Sequence, residues 1–312
     1  MFVWLLYVHL PGDLRVISVL HAQTAHKRAM STTSSPGSSA RFGFVGVGTM
    51  SSAIVRGLCT LPAPPAAVVL SPRGAQKAAA LYGEFPSLTR VAGSNQEVVD
   101  CSDVVFVGVL PKQTEEVLRG LTFEPRHTVV SLVSTAPLSL LHEVCAPVPA
   151  SQVVRAIPLP PVAKHVGATV MTPPNPTIVS VFDSLGTVVP VETEDMMKKM
   201  MPVTALMGQF YAQQRATHRW LLAQGVEAEA AAKWTGAVFH CVSYDSAVAG
   251  ASTFEHLVDE QTPGGLNEQV VRELTEAGAF DALSDSLDGV LARVQARPPP
   301  KRTKRPYSSI DE

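Results

Sequence analysis

Residues 42–58, FGFVGVGTMSSAIVRGL, decide how this chain is read. Phe42–Gly46 is an unbroken short apolar run, which suits a strand buried on both faces. Gly46-Val47-Gly48-Thr49-Met50-Ser51 follows as a glycine turn, and Met50–Leu58 then has the apolar spacing of a helix. A glycine turn between a strand and a helix is the setting in which this pattern means dinucleotide binding. Gly46 would make the tight turn. Gly48 would let a pyrophosphate approach the backbone, where a Cβ would intrude. The helix start, with Thr49 and Met50, would offer free N–H groups and partial positive charge to the phosphates. Ser51 stands where glycine or alanine is usual and is small enough for close packing.

Working outward, Ala67–Leu70, Val104–Val109, Thr128–Val133 and Gln152–Ala156 read as further strands, and Gly74–Tyr82 and Thr114–Leu121 as helices between them. Strands alternating with helices of this length imply a parallel sheet covered on both faces. The texture changes after Pro173-Pro174, with Ser180–Gly186 and Thr187–Val191 closing the first domain. Beyond Thr193 the pattern is helical, over Gln209–Ala223, Glu227–Ala249, Leu266–Ala277 and Phe280–Arg297. Thr193-Glu194-Asp195 is a helix start, a hydroxyl cap followed by acids near the positive end of the dipole. The expected fold is α/β: an N-terminal Rossmann-type parallel sheet over 42–175, an all-helical C-terminal domain over 176–297, a leader over 1–41 and a tail over 298–312.

The end of the second strand bears on the cofactor. NAD sites place an acid there for the ribose hydroxyls. Here it reads Leu70-Ser71-Pro72-Arg73, with no acid. Ser71 and Arg73 would instead welcome a 2′-phosphate, so NADP(H) is expected, with NAD(H) as the alternative.

The chain has 312 residues, 46% of them hydrophobic, which is room for about two domains. A net charge of -2 gives no footprint for nucleic acid. Cys59, Cys101, Cys145 and Cys241 are too scattered for a disulfide framework or a zinc site, so reduced thiols and no metal are expected. No stretch reaches the roughly 18 apolar residues of a membrane span. Asp13 is the only acid before Arg41, and Ser31–Ser39 is serine-rich. That leader reads as an organelle transit peptide, as an untargeted extension, or as sequence upstream of a start at Met30. The compartment is accordingly cytoplasmic, or mitochondrial or plastid. The basic run Lys301, Arg302, Lys304 and Arg305 reads as a solvated tail. Met196, Met197, Met200 and Met201 read as packing residues, and Trp220 and Trp234 as anchors of helix packing.

Several segments, in order, resemble the pyrroline-5-carboxylate reductase family over most of Phe42–Arg297. The opening strand, turn and helix are similar. So are Asn95-Gln96-Glu97 before Asp103–Phe106, Val107-Gly108-Val109-Leu110-Pro111, Ser131–Pro137 and Val154–Pro158. Late in the chain, Thr262-Pro263-Gly264-Gly265, the helix Leu266–Ala277 and Gly278-Ala279-Phe280 look like that family's closing elements. The resemblance implies NADPH-dependent hydride transfer to the carbon of a cyclic imine, and a homodimer or higher homo-oligomer built by interleaved helices. It implies cofactor contacts at Asn95, Val109, Pro111 and Thr135. It also implies a substrate site at Thr262, Gly264, Gly265 and Asn267, where backbone N–H groups at a helix start would hold the substrate carboxylate. A protonated imine is already a good electrophile, so no strong general acid is required.

The departures fall on the substrate side. Leu159-Pro160-Pro161 stands for Asn-Thr-Pro, Gly208–Ala212 (GQFYA) for Gly-Ser-Gly-Pro-Ala, and Leu266-Asn267 for Thr-Thr; apart from these three, Leu110 on the turn after Val107 stands where that family usually has lysine. Losing polar contacts from a site that discriminates through them points to a different, less polar substrate. Two other readings stay open: a non-catalytic NADP-binding dimer, and a β-hydroxyacid dehydrogenase-like enzyme, although Lys233-Trp234-Thr235-Gly236 lacks that group's asparagine.

Overall fold

The apolar runs become adjacent strands because a strand buried on both faces tolerates nothing else. The computed structural model describes residues 40–300; the leader up to residue 39 and the basic tail from residue 301 lie outside the described residues. The chain runs β1 (Arg41–Val45), α1 (Thr49–Cys59), β2 (Ala67–Leu70), α2 (Ala75–Glu84), β3 (Thr89–Val91), α3 (Asn95–Asp100), β4 (Val104–Val107), α4 (Thr114–Arg119), β5 (Thr128–Ser131), α5 (Leu138–Val144), β6 (Val153–Pro158), β7 (Gly167–Thr172), α6 (Pro176–Asp183) and β8 (Gly186–Pro190). One eight-stranded sheet results, in the order β3-β2-β1-β4-β5-β6-β7-β8. β6 and β7 pair antiparallel and every other pair is parallel. The order reverses between β1 and β4, and an open α/β sheet leaves its ligand crevice at that point, beyond the carboxyl ends of the strands.

Each face of the sheet has its own core. On one, Phe42, Phe44, Phe106 and Phe182 pack among Ile54, Leu58, Leu70 and Leu81. Phe44 and Phe106 stack with ring centroids 4.8 Å apart, and Phe182 meets Phe106 edge-on. On the other, Val98, Val105, Val107, Leu118, Val129 and Leu141 close the layer. Each fully buried side chain of this size contributes about 1.5–3 kcal/mol.

The sheet runs past the boundary expected at 175. β3 is too short to show a period, and β7 comes between two proline-bearing turns, so neither stood out in the sequence. The pair Pro173-Pro174 only turns the chain. α6 then buries Ile178, Val181 and Phe182, and β8 pairs with β7, so this segment belongs to the sheet unit.

The rest is helical: α7 (Glu194–Met200), α8 (Leu206–Ala223), α9 (Ala228–Asp245), α10 (Thr253–Asp259), α11 (Leu266–Glu276) and α12 (Ala279–Val294). The Thr193 hydroxyl accepts the Met196 N–H at 3.2 Å, the cap expected there. Met197 and Met201 bury against Val170 and Val191, with Val294 packed beside them, so α12 returns to the joint between the halves. Phe210 meets Phe239 edge-on at 5.6 Å and joins α8 to α9. Trp220 and Trp234 are 61% and 65% exposed, so within one chain they do not anchor helix packing as expected. The helix over Thr253–Asp259 was also not anticipated.

His127, just before β5, is buried, and its Nδ1 accepts the Glu124 N–H at 2.9 Å, which leaves the proton on Nε2. That Nε2 has no partner. Burial, with the nearby Arg126 charge, pushes the His127 pKa below its ordinary 6.5. The unfolded chain therefore binds the proton more readily, so stability is present above the ordinary value and falls as pH drops through it. The melting temperature should decline between about pH 7 and about pH 5, above the range where carboxylates titrate, and His127→Gln should flatten that decline. Parallel curves for the two proteins would show that another group is responsible.

Candidate functional site

The turns after β1 and β4 meet at the switch point. Gly46 has φ 93°, and a Cβ there would lie 2.8 Å from the Gly108 carbonyl oxygen and 2.9 Å from Val109 Cγ1. Ser51 is buried, and its hydroxyl donates to the Gly46 carbonyl at 2.8 Å. The same oxygen would sit 2.3 Å from a Cβ on Gly108. Ser51 is therefore more than a tolerated small residue, because it bonds one turn while packing on the other. Gly48 differs. Its φ of -86° is ordinary, and an added Cβ would meet only the Gly108 carbonyl, at 3.6 Å. Nothing among the described residues demands glycine there. α1 starts at Thr49 with no side-chain cap and no acid in its first turn, so no side chain caps its first amides.

The charges around this helix start are unusual within the sheet unit. Arg41 pairs with Asp103, Arg56 with Glu84, Arg90 with Glu97, Arg119 with Glu115 and Glu143, Arg126 with Glu124, and Arg155 with Glu194. Among the described residues of this unit, Arg73, Lys77, Lys112 and Lys164 have no carboxylate partner. Three of these four stand on the turns after β2 and β4 or one helical turn beyond. The Lys77 ammonium donates to the Thr49 hydroxyl at 3.0 Å, and both line a shallow groove of about 200 Å3 with Ser52, Arg56 and Ala80. Sequence reading missed Lys77 and Lys112; the signal for Lys77 was its place one helical turn after Arg73.

Ser71 is fully buried and is not presented to a ligand. Its hydroxyl donates to Asn95 Oδ1 at 2.6 Å and accepts the Arg73 N–H at 3.3 Å. Its part is to hold the Arg73 loop and the Asn95 side chain in place, which corrects the expectation of a direct phosphate contact. Val109 packs over Gly46, with Leu110 exposed and Pro111 opening a short 3-10 turn. Thr135 is exposed on the turn after β5. That turn is held by a buried ion pair that sequence reading did not single out. Arg155 Nη1 meets Glu194 Oε1 at 2.5 Å, Arg155 Nη2 donates to the Ser134 carbonyl at 2.6 Å, and Glu194 accepts the Leu138 N–H at 2.8 Å. Burial alone would raise the Glu194 carboxyl. The Leu138 N–H and the Arg155 and Lys198 charges outweigh it and hold the carboxyl below its usual range.

Thr262, Gly264, Gly265 and Asn267 form a second cluster at the start of α11, apart from the glycine turn. The amides expected to be free for an anion are already engaged. Gly264 N–H donates to the Glu268 carboxylate, Gly265 N–H to the Thr262 carbonyl at 2.9 Å, and Asn267 Nδ2 to Gln261 Oε1 at 2.6 Å. Leu266, beside them, is 81% exposed.

Residues 41–135 match the family model described as NADP oxidoreductase, coenzyme F420-dependent. The chain is 32% identical over 135 residues to pyrroline-5-carboxylate reductase of Pseudomonas aeruginosa, across 42% of this chain and 48% of that protein. The match thus spans about half the length of that relative. The fold is shared more widely. 1-Pyrroline-5-carboxylate reductase from Streptococcus pyogenes superposes with a TM-score of 0.69 at 19% identity, covering 83% of this chain and 100% of that one. Pyrroline-5-carboxylate reductase from Coxiella burnetii gives 0.71 at 20% identity, over 83% and 98%. The Plasmodium falciparum pyrroline carboxylate reductase, solved with NADP bound, gives 0.67 at 15% identity, also over 83% and 98%. With its glycine turn, sheet order and helical half in place, the chain has the fold of these reductases and is similar in sequence to one of them over 135 residues.

Proposed function

We propose that this chain is an NADPH-dependent reductase that transfers hydride to the carbon of a C=N bond in a small cyclic imine. The observation that carries the cofactor half is the pair of cations without carboxylate partners, Arg73 and Lys77, beside a helix start that has neither cap nor acid, with Lys112 on the turn after β4. In a unit whose other arginines all meet carboxylates, cations left together call for an anion from outside. Gly48 keeps the approach open, and the amides at the start of α1 would hold the pyrophosphate. The absence of an acid after β2, with Arg73 and Lys77 in its place, favours the 2′-phosphorylated dinucleotide.

The bound cofactor would supply the hydride. The chain's own part is to bind, orient and shield. Val109 and Pro111 would border the dinucleotide on the β4 side, and Thr135 would border it beyond β5. Asn95, steadied by Ser71, would face the adenosine part. Thr262, Gly264, Gly265 and Asn267 remain the substrate contacts of this reading, with Glu268 standing over the Gly264 amide. That carboxylate would repel an anionic substrate and tolerate an uncharged one. The same observation favours a second reading, a dinucleotide-binding protein without turnover.

A dimer belongs to the proposal. In α8–α12 large apolar side chains stand exposed, among them Trp220, Trp234, Val242, Tyr244 and Phe254. Apolar patches of this kind mark association surfaces.

Removing Arg73 or Lys77 by alanine substitution should weaken NADPH binding by about ten-fold each and leave NADH binding unchanged, read by cofactor fluorescence. Equal losses for both cofactors would place the 2′-phosphate elsewhere. In an NADPH oxidation assay with pyrroline-5-carboxylate, Glu268→Ala should lower KM, because it frees the Gly264 amide and removes a like charge. An unchanged KM would separate that turn from the substrate, and binding of NADPH without turnover of any imine would establish the second reading. On size exclusion the wild type should run as a dimer or larger, and Trp234→Glu should dissociate it; a monomeric wild type would refute the association surface.

A further inference from the structure

Arg155 lies in the middle of β6 and is 1% exposed. Both of its amino groups are directed to one place, Nη1 to Glu194 and Nη2 to the Ser134 carbonyl. Glu194 in turn accepts the Leu138 N–H. One ion pair thus grips both ends of the turn 134–138, the first through its carbonyl and the last through its amide. A buried ion pair is by itself weak evidence for stability. Arg155 Nε has no partner, and neither has the hydroxyl of Thr172, which faces Arg155 across the β6–β7 register. A buried ion pair replaced by apolar residues of similar volume is often neutral or better for stability, and an unsatisfied buried N–H adds to its cost.

What the pair does supply is position. The turn leaves β5 at the carboxyl edge of the sheet, with Thr135 exposed on it. With the 2′-phosphate cations after β2 and the pyrophosphate amides after β1, the sheet order β2-β1-β4-β5 carries the other half of a dinucleotide towards this turn. Glu194 is also the first residue of α7, so the same pair fixes the turn to the helical half.

We infer that Arg155 and Glu194 are positioning residues, which clamp the Ser134–Leu138 turn where it receives the nicotinamide half of the dinucleotide and lock it to the helical domain. The inference rests on the dinucleotide reading above. Its test is the double variant Arg155→Met with Glu194→Leu in the full chain. The melting temperature should match or exceed that of the wild type. Amide hydrogen exchange over Thr135–Leu138 should quicken by about ten-fold. Affinity for 2′,5′-ADP, which reaches only the β2 side, should hold, whereas affinity for NADPH should fall by about ten-fold. A structural pair would give the reverse: a lower melting temperature with the NADPH to 2′,5′-ADP affinity ratio unchanged, and that result would overturn the inference. If the double variant does not fold, Arg155→Lys keeps the charge but lacks the fork needed to hold two acceptors. It should lower the same ratio, and an unchanged ratio there also overturns the clamp. A wild type that binds neither nucleotide would reject the dinucleotide reading instead, while exchange at the Leu138 amide would still decide whether the pair holds the turn.

Discussion

The close approach of two backbone turns, at Gly46 and Gly108, is the constraint on which the rest of the site depends. The sheet order puts β1 beside β4, and both strands must end at the same level for a crevice to open between them. Gly46 bends with a positive φ that L side chains rarely adopt, and Ser51 closes the gap by bonding the Gly46 carbonyl. α1 starts directly after the pinned turn, at Thr49, with no side-chain cap and no acid in its first turn. The residues that the proposed dinucleotide would meet lie on the turns around that helix start: Arg73 and Lys77 on the β2 side, Val109 and Pro111 on the β4 side, Thr135 beyond β5.

The two halves are built on different physics. The sheet unit buries apolar side chains on both faces and pairs its arginines with carboxylates, Arg73 excepted. The helical half leaves many of its large apolar side chains in solvent, and what holds it to the sheet is a small cluster around Met197 and Met201 together with the Arg155–Glu194 pair. The turn at Thr262–Asn267 belongs to that second half, and its amides are occupied by the chain's own Glu268 and Thr262. Of the sequence departures, Leu159 and Leu266 put apolar side chains where the resembled pattern has polar ones, while Phe210 puts bulk where it has glycine and joins α8 to α9.

The parts legible in the sequence were those carried by local rules. An unbroken apolar run marks a doubly buried strand, glycines between strand and helix mark the phosphate turn, and a threonine followed by two acids marks the start of α7. Ala67–Leu70 and the opening strand emerged within a residue of their expected bounds for that reason. β3 and β7 did not, because a strand of three residues has no period to read, and because a proline pair that merely turns the chain looks the same as one that ends a domain. Ser71 shows the same limit at a single residue. Its chemistry suits a phosphate, yet its burial assigns the hydroxyl to Asn95.

The amino-acid pattern alone determined the sheet-then-helix order and the glycine turn, since each follows from spacing along a few residues, and it supplied the reason to expect a phosphorylated ribose, the missing acid after β2. Which charges are paired, which amides are engaged within the chain and which polar groups are buried was settled only by tertiary structure. Arg155 and Glu194 are separated by 39 residues, and Arg155 and Ser134 by 21. Contacts over such separations depend on strand order and register, which fold the chain back on itself, and no local pattern of side chains encodes them.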